Sequence, residues 1–318
     1  MAIQALALAR ALMHHLHVIV LDLETTDEPQ AIFETLNTGG APLLPIDLVK
    51  NWLLWEAARA GRDEAACFAL YQAYWKAFDT DGEYWRKKVG AGHAARPRAD
   101  GFLVNWLTER TRDTVAAGHV YEAFLDHVAL PARETGDVDV PALMKAINTA
   151  ASLYRRIDEP GPQRDRFNTF LQRLKTMNVV VLYPLLMHLL ARYGSDAVDL
   201  DACAEALESF LVRRLVCDLS TRGYGALFLK ALAAVAEASS GSAAPVLHHF
   251  LAAGSSAASV WPNDAAFARS WCSRDLYGGR GARPLMMLCA LEEQEWRCDH
   301  LAMPVASFDW SRVQVEHV

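Results

Sequence analysis

The sequence has no Cys-x-x-Cys pair, no excess of basic residues, no apolar run long enough to cross a bilayer and no internal repeat. Each lack removes a class of protein. Six cysteines (Cys67, Cys203, Cys217, Cys272, Cys289 and Cys298) are scattered through 318 residues, which excludes a small disulfide scaffold and reads as reduced, mostly buried thiols. A net charge of −7 argues against attachment to nucleic acid or to an anionic membrane through overall charge alone, leaving room only for a local basic site. The longest apolar stretches, such as 179–191, are too short or too interrupted to span a membrane. The opening MAIQALALAR has no basic residue ahead of its apolar run, so it does not read as a signal peptide. With 52% hydrophobic and 22% charged residues, the composition is that of a folded cytoplasmic protein rather than a disordered or collagen-like chain.

Strands are also scarce. Helical periodicity covers residues 2–16, and then the period changes at His17–Leu23, a nearly continuous apolar run of the kind buried on both faces of a sheet. Residues 28–36 read as a short helix, and Pro45 opens another that reaches Arg59. Further helices are expected at 62–78, 100–112, 118–129, 140–157, 164–175, 179–193, 199–218 and 225–237, then near 245–252, 262–275 and 282–296. Linkers rich in Gly, Pro, Ser or Asp separate them, at 79–97, 131–138, 158–163, 238–244 and 278–281. The only other strand candidate is Val313–Val315. The fold class is therefore mainly α, a multi-helix bundle-like array with one isolated N-terminal strand and a short C-terminal one. That isolated strand poses a physical problem, since each buried backbone group left unpaired costs about 1–3 kcal/mol. Either it is not a strand, or its sheet lies outside these residues.

The most specific segment is Ala31–Asn51, AIFETLNTGGAPLLPIDLVKN. Asn37 and Gly39-Gly40 form a turn in which glycine takes positive φ at no steric cost. The helix that follows points its N-terminal dipole at whatever the loop holds, a geometry that favours an anion such as phosphate. On that helix Asp47, Lys50 and Asn51 make a polar stripe, and Ile46, Val49 and Leu53 an apolar one. The bland alternative is a plain helix–turn–helix connection with an Asp–Lys ion pair and nothing bound.

Phe33, Asn37, Gly40 and Leu43 match the Phe-x-x-x-Asn-x-x-Gly-x-x-Leu motif, and the segment closely resembles that of the GmrSD-type, modification-dependent restriction endonucleases, including their SspE-like phosphorothioate-sensing branch. In that family the motif belongs to a ParB/sulfiredoxin-like domain that binds and hydrolyses nucleotide. The resemblance thus implies nucleotide contacts from Asn37, Thr38, Gly39, Gly40 and Lys50. The family's preceding Asp-Gly-Gln-Gln-Arg motif is absent here.

Two more segments resemble the same family. In LESFLVRRLVCDLSTRGYGALFL (207–229) a core helix carries Arg213 and Arg214 outward, with Arg222 just beyond. These arginines could grip a DNA phosphate, or simply pair on the surface with acids such as Asp218. The final VQVEHV resembles the opening strand of an HNH-like nuclease domain, with His317 at the position of a general base. On this resemblance, residues 1–60 are the closing part of the nucleotide domain, 61–300 a helical middle and 301–318 the start of the nuclease. The chain is then expected to be a fragment of an anti-phage endonuclease, inactive alone and lacking a complete metal site. The intact family would use an NTP, a divalent metal (Mg or Mn) and DNA, with self-association or a complementing nuclease subunit as a further partner. The competing expectation is a non-enzymatic helical interaction or DNA-sensing subunit.

Other features weigh less. The His14, His15 and His17 cluster, His248-His249, and Cys298 with His300 each lack the partners of a metal site. Trp52, Trp55, Tyr71, Tyr74, Trp75, Tyr84, Trp85 and Trp106 are expected to pack helices, with base stacking as the sharper alternative. Arg86, Lys87, Lys88, Arg96 and Arg98 form the best local basic segment for a DNA backbone.

Overall fold

The structure is a computed structural model that describes residues 44–90, 95–134, 138–163, 165–238, 241–274 and 282–298, together with Arg10, Met13, His14 and Gly136. Two compact units divide the chain, Met1–Leu44 and Pro45–Val318. The elements of the second follow from local chemistry. Helix α1 (Pro45–Arg59) starts at a proline, whose missing N–H costs nothing in a first turn. Asp63 caps α2 (Glu64–Leu70), its carboxylate accepting from the Ala66 N–H. A wide π turn (Tyr71–Trp75) joins α2 to α3 (Lys76–Thr80), and Asn148 donates 2.9 Å to the Tyr74 carbonyl within it. After α4 (Gly82–Trp85) come two short antiparallel strands, β1 (Lys88–Val89) and β2 (Arg96–Pro97), in the register Lys88–Pro97 and Val89–Arg96.

Helices α5 (Arg98–Thr111), α6 (Val120–Phe124) and α7 (Leu130–Glu134) follow, the last two joined by a second π turn, Leu125–Ala129. That widened turn gives the Pro131 ring room it would not have against an ordinary i−4 carbonyl. Asp139, Asp165 and Asp196 then cap α8 (Val140–Asp158), α9 (Arg166–Met177) and α11 (Ala197–Val216), with α10 (Tyr183–Tyr193) between the last two. The chain continues through α12 (Tyr224–Glu237), α13 (Ala243–Ala252), α14 (Asp264–Ser273, capped by Asn263) and α15 (Ala282–Cys298).

Helix α10 is apolar on nearly every side and is correspondingly central. It packs against α5 and α8 on one flank and against α11 and α12 on the other. Helices α1, α5, α6 and α8 share the first half of the core, and α11 gathers α9, α13 and α14 in the second. The first half is aromatic: Phe78, Trp85, Phe102 and Tyr154 contact one another at ring separations of 4.8 to 6.4 Å.

The mainly helical reading holds, and the expected apolar stripe of α1 is buried, with Ile46, Val49 and Leu53 wholly enclosed. Several expectations are corrected. The linker expected at 79–97 holds α4 and the β1–β2 pair, because a two-residue ladder is too short to print an alternating pattern. The linker at 131–138 is helical to Glu134. The compact units part at Pro45, and α1 packs on α5, α6 and α8 within the second. Cysteines 67, 203, 217, 272 and 289 are free, but only Cys203 is buried. The strands expected at 17–23 and 313–315 lie outside the described residues. Nothing in the fold supports a ParB-like origin for the N-terminal part.

Candidate functional site

The start of α1 is built into a cluster of charges from three parts of the chain. Asp47 and Lys50 stand one turn apart on α1, and the Lys50 ammonium lies 3.3 Å from Asp47 and 3.0 Å from Asp79 of α3. Arg86, just past α4, makes a forked contact with Asp47 at 2.7 and 2.9 Å and reaches Asp79 at 2.6 Å. Two cations thus bridge two carboxylates in a closed square, all four half-buried. The Tyr71 hydroxyl adds a bond to Asp79. Burial alone would raise the Asp47 carboxyl, but the Arg86 hydrogen bonds and charge, aided by Lys50, hold it below the ordinary carboxylate range.

Asp100, in the first turn of α5, closes the cluster from behind. It is 6% exposed, and its Oδ1 has no hydrogen-bond partner. Burial pushes its carboxyl up to about 6, against the pull of Arg96, Arg86 and the Ile46 backbone amide at the head of α1. Three cations, three carboxyls and a helix N-terminus therefore converge, one carboxyl titrating above the ordinary carboxylate range. Chemically, the guanidinium fork that holds Asp47 has the geometry that also fits a phosphate.

Of the residues expected at the nucleotide site, Lys50 is here, while Asn37, Thr38, Gly39 and Gly40 lie outside the described residues, as does His317. Asp79 and Asp100 escaped sequence reasoning. Asp79 is 29 residues from Lys50, and Asp100 looks like any acid in a first helical turn. The basic segment 86–98 does not act together. Arg86 serves the cluster, and Arg98 binds Asp158 at 2.8 Å and stacks over Tyr84 at 4.3 Å. Lys87 and Lys88 face solvent.

The three expected DNA-gripping arginines separate as well. Arg222 is exposed. Arg213 is half-buried and engaged by Ser209, the Pro262 carbonyl and Asp264. Arg214 corrects the outward reading, since it is fully buried. Its guanidinium donates to the Tyr224 hydroxyl and to the carbonyls of Val260, Ser220 and Ala257 at 2.8 to 3.0 Å, and it sits near the rings of Phe210 and Tyr224. Helix α11 packs on both α13 and α14, so residue 214 faces the loops between them rather than solvent. Asp218 pairs with Arg274, not with Arg214 or Arg222.

The aromatic expectation is met at Trp52, Trp75, Tyr84, Trp85 and Trp106, all buried, whereas Trp55 is 43% exposed. Among the described residues no group of three or more His, Cys, Asp or Glu side chains could hold a metal ion, and no helix is long and apolar enough to cross a membrane. Comparisons with models of known protein families, with curated proteins and with solved structures find no match.

Proposed function

We propose that this chain is the helical body of a GmrSD-like, modification-sensing anti-phage endonuclease, and that the cluster at the head of α1 is where it holds the phosphates of an NTP. The reading rests on the motif Phe33–Leu43 leading directly into α1. The single observation that carries it is the square of Asp47, Lys50, Asp79 and Arg86, together with Asp100 and Arg96 behind it. Lys50 and Arg86 would meet the phosphates, with Asp47 and Asp79 as the partners they release. The NTP supplies the energy and the signal, and the chain's own residues bind and orient it. The divalent metal of the family has no donor set among the described residues, so no step is assigned to it here. DNA is the partner, with Arg222, Lys87 and Lys88 as its exposed cationic contacts.

Two measurements test this. Calorimetric titration with ATP and GTP should give saturable binding that falls about tenfold or more in the Lys50→Met/Arg86→Met double variant, as expected when charge-assisted bonds to phosphate are removed. Cells carrying the full gene should plate phage with modified DNA less efficiently than phage with unmodified DNA. Absence of NTP binding, or binding indifferent to the double variant, removes the phosphate site. Equal plating of both phages removes the endonuclease reading and leaves a helical interaction subunit.

A further inference from the structure

A cavity of about 440 Å³ opens between α9, α11, α14 and α15, well away from the cluster in sequence and sharing no residue with it. Its volume falls in the range of small-molecule sites. Phe267 and Trp271, one turn apart on α14, form one wall, their rings 5.9 Å apart and inclined by 28°. Neither ring is buried in the core. Met286 and Met287 of α15 also line the cavity, side chains that mould readily to a flat ligand.

The floor is ionic and rigid. Glu208 is gripped by Arg166 and Arg173 at 2.6 Å each, and Arg173 continues to Glu293 at 2.7 Å. Glu205 stands at the rim, 3.8 Å from Arg166. Three carboxylates against two guanidiniums leave the floor negative, which opposes a phosphate or carboxylate ligand. A floor of that charge favours ligand groups that donate hydrogen bonds over anionic ones.

We propose that this cavity binds an uncharged planar heterocycle of the nucleobase or nucleoside class. The ring would lie against Trp271 and the methionines, and ring N–H or amino donors would meet the carboxylates. Such a heterocycle carries donors and acceptors along one edge and an apolar π face, which matches this mixture of walls and floor. The inference does not depend on the endonuclease reading.

The test is calorimetric titration of the purified chain with adenosine, guanosine, cytidine and uridine, and with their 5′-monophosphates. At least one nucleoside should bind saturably and more tightly than its own monophosphate. Trp271→Ala should weaken it about tenfold through loss of the base–aromatic stack. Saturation-transfer measurements on the unaltered chain, which need no variant to fold, should mark base protons more strongly than ribose protons. The proposal is overturned if no nucleoside binds up to its solubility limit, if monophosphates bind as tightly as nucleosides in a manner that Trp271→Ala abolishes, if Trp271→Ala binds nucleoside normally, or if saturation transfer is absent or uniform.

Discussion

Two arginine sites in this molecule use the same side chain in opposite ways. Arg86 lies half-buried among carboxylates, where each bond trades one charged partner for another. Arg214 lies wholly enclosed, its guanidinium bonded to one phenol and three carbonyls. A guanidinium bound to neutral acceptors in the interior is fastened, because three of its four acceptors are loop carbonyls that would otherwise be buried without donors. It ties Ser220 to Ala257 and Val260, and so fixes the two loops that flank α12 and α13. Gly223, at φ +91° beside Ala258, is the tight corner that lets those loops meet. A guanidinium among half-exposed carboxylates is exchangeable, and that separates a binding site from a staple.

The largest effect should come from the staple. Arg214→Met is expected to lower unfolding free energy in urea by about 3–4 kcal/mol, since it strips donors from three buried carbonyls at once. Arg214→Lys should recover little of that, because one ammonium cannot span acceptors on two separate loops. A loss below about 1 kcal/mol would erase the distinction.

A smaller effect belongs to Asp100. Its folded carboxyl titrates near 6 and its ordinary value is 3.8, so between those values the native state holds the proton that the unfolded chain has released. Stability should therefore fall as pH rises through that window, by on the order of 1 kcal/mol. Asp100→Asn should remove the slope and be the more stable form at pH 7, read from urea midpoints at pH 4, 5, 6 and 7. An unchanged slope would mean that Asp100 is charged throughout.

The smallest effect is that of Arg222→Ala, expected to change stability by no more than about 0.5 kcal/mol, as at any exposed site without special contacts. On the DNA reading it should still weaken duplex binding a few-fold and reduce its salt dependence. Intact binding with an unchanged salt slope would retire Arg222 as a contact.

Much of the fold could be read from the chain, because its signals are local. Aspartates at 63, 139, 165 and 196 precede helices and cap them, and the stripe Ile46, Val49, Leu53 predicts the buried face of α1. The π turns at 71–75 and 125–129 could not be read in advance. They arise where packing must turn Trp75 inward or admit Pro131, and neither demand is written in helical periodicity. The candidate site was half legible. Lys50 and its i−3 partner Asp47 are neighbours in sequence, whereas Asp79, Arg86 and Asp100 reach them only through the packing of α3, α4 and α5. Arg213 and Arg214 stand side by side in sequence, but α11 turns about 100° per residue, so only one of them can face the rim.

Residue order by itself determined a helical molecule, its capping points and its apolar faces, since those follow from backbone propensity and spacing within a few turns. Tertiary structure alone decided which charges meet, which arginine is sealed from solvent and which carboxyl keeps its proton. Those outcomes depend on distance and desolvation between segments far apart in the chain, and neither quantity exists until the helices pack.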